Sequence, residues 1–117
     1  MKYGFVGDPA NASWCQGQTG VSPNGNIGAD SMISVLAHEI EEATTDPYVA
    51  GTVWRDSSGY ENADKCAWTW GTTFNYNGAY ANMKGSNTSY LVQQGFGLLS
   101  NTPGTGKDTW TGNCSNG

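Results

Sequence analysis

The chain has 117 residues, of which only 13% are charged and 37% hydrophobic, with 17 glycines and 5 tryptophans. That length suits one domain, residues 1–117, and the aromatic content excludes a disordered chain. Ten acidic residues against five basic ones give a net charge of −5, which leaves no basic stripe for nucleic acid and no attraction to anionic membranes.

In chain order, residues 3–6 read as a short strand, directly after Met1-Lys2 with no signal-peptide pattern. Residues 7–28 form a polar loop with turn signals at "SPNG". A helix follows, with Asp30 or Ser31 as its N-cap. Met32, Ile33, Leu36, Ala37, Ile40 and Ala43 recur at helical spacing and predict one buried stripe. Pro47 bars helical geometry at Asp46, so the helix ends there. No run is apolar for long enough to span a bilayer.

Beyond Pro47, residues 48–71 predict a hairpin or extended loop that turns at "DSSG". "TTFNYNGAYANM" and "TSYLVQQGFGLL" read as two strands joined by a "KGSN" turn. Residues 100–117 are rich in glycine and threonine and read as an irregular tail, anchored if Cys114 is disulfide-bonded. Cys15, Cys66 and Cys114 allow one internal disulfide and leave one cysteine over. Low charge, the cysteines and the sequons at Asn11, Asn87 and Asn113 fit a secreted domain.

The chemistry concentrates in "LAHEIEEATTDPY", residues 36–48, which contains His38, the one histidine of the chain. On a helix, His38 and Glu42 are four apart and share a face, with Cβ atoms roughly 5–6 Å apart. This is the geometry by which H-E-x-x-H presents two ligands to zinc, with a carboxylate in place of the second imidazole. Glu39 takes the position of the water-activating base. Glu41 points away from the pair, toward solvent, and Asp46 reads as a helix-end residue. A third ligand comes from "GYENADKC", as Asp64 or Glu61; Cys66 suits a disulfide better. One imidazole and two carboxylates bring a divalent ion close to neutral, which weakens its Lewis acidity and admits other divalent cations besides zinc. Without a metal, the same residues are an acidic helix face whose glutamates have no basic partner at i+4.

The run "VSPNGNIGADSMISVLAHEIEEATTDPYVAGTVW", followed by "ENADKC", "TFNYNG" and "SYLVQQ", resembles the C-terminal part of the phosphate-induced protein / EXORDIUM-like family. The resemblance implies a secreted protein, and a chain that corresponds to the C-terminal portion of a longer one or to a compact relative. Members with an intact H-E-x-x-E helix look like metallopeptidases, and this chain is similar to them at His38, Glu39, Glu42, Asp46-Pro47, Glu61, Asp64 and Cys66. Others have lost the histidine and acids from that helix, and plant members are linked to growth and to cell-wall or apoplastic signalling, mostly without an established activity. "SWCQGQTG" keeps one of the two cysteines often found there, so Cys15 lacks its usual partner.

The expected fold is therefore a small, loop-rich α+β domain of zincin-like form, with one active-site helix packed on short antiparallel strands. The leading functional expectation is a secreted, monomeric zinc hydrolase acting on an extended peptide, which can lie along a strand near "TTFNYNG". The alternative is a non-catalytic EXORDIUM-like cell-wall or signalling protein with a structural metal or none. A weaker alternative is a carbohydrate-binding module built on Trp14, Trp54, Trp68, Trp70 and Trp110, with Trp68 and Trp70 on one strand face.

Overall fold

The computed structural model describes residues 3–48, 54–56, 58–102 and 109–116. It shows a small α+β fold with one α-helix and six short strands paired as three separate antiparallel hairpins.

Helix α1 spans Ile27–Thr45 and starts earlier than Asp30. Its N-cap is Asn26, whose side chain accepts the Ala29 N–H at 3.0 Å and so satisfies one of the unpaired donors of the first turn. Asp30 instead lies buried inside the first turn. It accepts both the backbone N–H of Asn24, at 2.9 Å, and its side-chain amide, at 2.6 Å, tying the preceding loop to the helix. The C-terminus falls where Pro47 requires it, with Asp46 as C-cap donating its N–H to Glu42 O.

The buried face of α1 is not the expected apolar stripe. Gly28, Asp30, Ser31 and Ser34 face inward, while Leu36 and Ile40 remain 45% and 56% exposed. Gly28 lies against the side chain of Asp8 in the preceding loop, and Ser34 Oγ accepts the Gln93 N–H at 3.3 Å. Leu36, Ile40 and Ala43 line an open hollow with Tyr3, Phe5 and Val6. Residues 3–6, read as a strand, carry no strand pairing.

Strands β1 (Phe74–Tyr76) and β2 (Ala79–Ala81) form a hairpin about Asn77-Gly78. Both turn residues have positive φ, 53° and 81°, as a two-residue type I′ turn requires, so the stretch read as a single strand doubles back. Strands β3 (Met83–Lys84) and β4 (Ser89–Tyr90) pair across the "GSN" turn, closed by Gly85 N–H to Thr88 O at 2.8 Å. Asn82 links these pieces. Its amide donates to Trp70 O and Val92 O at 2.8 and 2.7 Å, and its carbonyl accepts Val92 N–H at 2.8 Å.

The third hairpin corrects the irregular tail. Strand β5 (Gly95–Thr102) pairs with β6 (Thr109–Ser115), with an irregularity between Leu98 and Ser100. Cys66, at the end of a 3₁₀ turn over Asp64–Cys66, is disulfide-bonded to Cys114 on β6, and Cys15 is free. The hairpin expected over 48–71 lies partly outside the described residues. Its described part forms a turn in which Asp56 N–H bonds to Tyr60 O, and it shows no strand pairing. The buried apolar side chains are Ala63, Cys66, Ala79, Ala81, Leu91 and Val92.

Candidate metal centre

His38 and Glu42 project from the same face of α1, one turn apart, with His38 Nε2 3.1 Å from Glu42 Oε1. Asp64, at the start of the 3₁₀ turn, comes from across the fold to place its Oδ1 3.6 Å from the same nitrogen. One donor atom from each of the three residues lies within 4.8 Å of the others. Two supports hold Asp64 there. The disulfide fixes Cys66 two residues on, and Asn62 pairs with Phe96 of β5 like a strand residue, donating to its carbonyl at 2.9 Å and accepting its N–H at 3.1 Å.

The three donor atoms all act as acceptors when the His38 proton sits on Nδ1 and the carboxylates are ionised, and either a proton or a cation between them relieves that arrangement. Glu42 Oε1 is buried and, although His38 Nε2 is within ion-pair distance, the two are not aligned as a hydrogen bond. Glu42 is correspondingly pushed up from 4.5 to about 7, first by burial and then by the nearby carboxylates of Asp64, Glu61 and Glu39, with His38 opposing. His38 Nδ1 is also buried without a hydrogen-bond partner among the described residues. The donor set therefore fits a divalent ion in chemistry and convergence, but lacks the carboxylate or carbonyl that commonly orients a metal-bound imidazole through its second nitrogen. Asp64 is 44% exposed in its side chain, so one side of the cluster is open to solvent.

The remaining acidic residues are placed differently. Glu61 is drawn toward Arg55, whose guanidinium bridges it and Asp46 at 2.7 Å each. Of the two residues proposed for the third ligand, Asp64 is thus the one that meets His38 and Glu42. Glu39 is exposed on the helix and lines the hollow shared by Tyr3, Phe5, Leu36 and Ile40. Glu41, expected in solvent, is half-buried against Gly95 at the start of β5, and that burial raises its pKa.

Arg55 is the residue that sequence reasoning missed. It lies past the end of α1 at Thr45, outside every i+4 pairing on the helix, and supplies the basic partner that Asp46 and Glu61 share. The tryptophans do not form a common platform: Trp68 adopts a positive φ of 59° outside any strand and meets Trp70 edge-on at 6.1 Å. Trp70 packs over Gly17, and Trp54 lies 6.0 Å from Phe96. The side chain of Trp110 lies outside the described residues.

The sequence model of the phosphate-induced protein 1 conserved region matches residues 7–97, which hold α1, the His38–Glu42–Asp64 cluster and the first two hairpins. The chain belongs to this family. Within the phosphate-induced protein family it is 37% identical over 86 residues to Protein EXORDIUM-like 3 of Arabidopsis thaliana, a match covering 62% of this chain and 25% of that protein. The chain thus spans about a quarter of the length of this relative. No solved structure matches it.

Proposed function

We propose that this protein is an extracellular EXORDIUM-like protein that holds a divalent metal ion on His38, Glu42 and Asp64. The observation that carries the reading is the convergence of three acceptor atoms, one of them a buried carboxylate oxygen with no aligned donor. Neutral histidine and two carboxylates compensate a 2+ charge, and ligands of this mixed type suit zinc or manganese. The extracellular assignment is supported by the Cys66–Cys114 disulfide and by the exposure of all three sequon asparagines, Asn11, Asn87 and Asn113. In this role the metal ties α1 to the 3₁₀ turn that carries Asp64, and the partner is a cell-wall component.

A second reading is favoured by the open side of the cluster at Asp64. Three protein ligands and a free position are what a zincin-like hydrolase uses to bind water. There Glu39 would take the water's proton, and an extended peptide would be the substrate.

Elemental analysis after refolding with zinc tests the site. Stoichiometric metal in the wild type, lost in His38→Ala and weakened at least about tenfold in Asp64→Asn, is the expected result. A wild type that retains no metal overturns both readings. Glu39→Gln then separates them: metal retained with no proteolysis of an unstructured protein by either form supports the structural role. Proteolysis abolished by the substitution supports the hydrolase.

A further inference from the structure

Beside the metal cluster, between α1 and the β5–β6 hairpin, lies a hollow of about 350 Å³. Ala37, Met83, Val92 and Phe96 line it on the apolar side and Gln93, Ser115 and Asn116 on the polar side, and the Glu41 carboxylate lies against Gly95 at its wall. That size falls at the lower end of small-ligand pockets, and its make-up, apolar side chains with a few polar ones and one charged group, is the usual one for such sites.

The carboxylate is held in the hollow by a specific feature of the chain. A Cβ on Gly95 would overlap the Glu41 carboxylate, so the glycine provides the space that Glu41 occupies. Among the described residues no lysine or arginine pairs with Glu41: Arg55 is engaged by Asp46 and Glu61, and Lys65 by Asp56 at 2.9 Å. Lys65 does reach over the Phe96 ring, at 5.0 Å from its centroid, but its ammonium is held by Asp56. Among the described residues only His38, on the same helix, acts on Glu41 as a basic group, and it makes no ion pair with it, so a half-buried carboxylate without a lysine or arginine partner is open to a ligand's cation.

We propose that this hollow binds an alkylammonium group, its methylene stem against Ala37, Val92 and Phe96 and its charge on Glu41. The same chemistry is offered by a lysine side chain of a protein and by a free aliphatic amine. The site is separate from the metal reading, since Glu41 is not among the three converging donors.

The test is an NMR titration of the full chain in EDTA, following the amides of Gly95, Phe96 and Gly97. Three probes are used at millimolar concentration: N-acetyl-lysine methylamide, N-acetyl-norleucine methylamide, which keeps the stem and drops the ammonium, and n-butylamine. The lysine derivative or butylamine shifts these amides saturably and the norleucine derivative does not. Stronger binding of the lysine derivative assigns a protein side chain, and stronger binding of butylamine a free amine. Glu41→Gln weakens binding about tenfold, the scale of a charge-assisted contact. Gly95→Ala drives the flexible Glu41 side chain out of the hollow and abolishes binding, while its circular dichroism and thermal transition stay close to the wild type. Equal shifts from the norleucine derivative, unchanged binding in Glu41→Gln, or no saturable shift with either amine overturns the proposal. EDTA keeps the metal out of all arms, so failure here leaves the elemental analysis untouched.

Discussion

At the scale of the residue, Glu42 sets how the metal-free protein responds to pH. Unfolded, its carboxyl titrates near 4.5; folded, it is pushed up to about 7. The folded state therefore binds more protons in between. Its contribution to stability is complete below about pH 4.5 and is lost as the pH rises through about 7, where it levels off. In EDTA the melting temperature should fall by roughly 5 °C across that window, because solvent near the open cluster moderates the cost of the buried charge. Glu42→Gln should shrink the fall to the part that Glu41, also raised by burial, contributes in the same direction, and excess zinc should oppose the Glu42 part by taking the proton's place. A flat wild-type profile would show that Glu42 is not buried against its neighbours. Asp56, held low chiefly by Lys65, does not interfere, since its contribution is lost only below its ordinary value of 3.8. The site was half legible in the chain. His38 and Glu42 could be paired because i and i+4 share a helix face whatever the fold. The choice between Glu61 and Asp64 could not be made, because it depends on Arg55, whose reach to Glu61 is a tertiary contact.

At the scale of the element, side-chain amides replace the ladders that such short strands cannot supply. Asn82 makes three hydrogen bonds that join Trp70 to Val92. Asn82→Ala leaves these groups unpaired and should cost about 2 kcal/mol in urea-induced unfolding. Removing the cap of α1 in Asn26→Ala should cost about 1 kcal/mol, whereas Ser31→Ala, outside the cap, should not show the cap loss. An equal effect at Ser31 would place the cap where the sequence first suggested. Helix α1 was legible because its punctuation is local: Pro47 at one end and an apolar repeat throughout. Its inward face was not, since periodicity reports where apolar residues cluster and not which side the strands approach. Here the inward face holds the small residues Gly28, Ser31 and Ser34, with Gly28 against the Asp8 loop and Ser34 bonded to Gln93. The Asn77-Gly78 hairpin carried its own turn signal and could have been read from it. The sequence between β5 and β6 also holds a turn dipeptide, Pro103-Gly104, but the flanking glycines and threonines show no strand alternation, and the register is a property of the pairing itself.

At the scale of the molecule, the core is thin. Among the described residues its buried apolar side chains are Ala63, Cys66, Ala79, Ala81, Leu91 and Val92, half of them alanine and none aromatic. The Cys66–Cys114 disulfide therefore bears much of the stability. It closes a loop over a sequence separation of 48, which in the chain-entropy account is worth about 4 kcal/mol. Thiol titration should find one reactive group in the native protein, Cys15, and three after reduction and unfolding. The Cys66→Ser/Cys114→Ser double variant should lose stability by about that 4 kcal/mol. Its effect should also reach the metal. Asp64 lies two residues before Cys66 on the same 3₁₀ turn, so releasing β6 loosens the ligand that closes the cluster, while His38 and Glu42 stay fixed by α1. Zinc affinity in the double variant, measured where it is still folded, should drop toward that of Asp64→Asn. Affinity equal to the wild type would instead mean that the Asn62–Phe96 pair alone positions Asp64. In that case Asn62→Ala, not reduction, would be the change that opens the site.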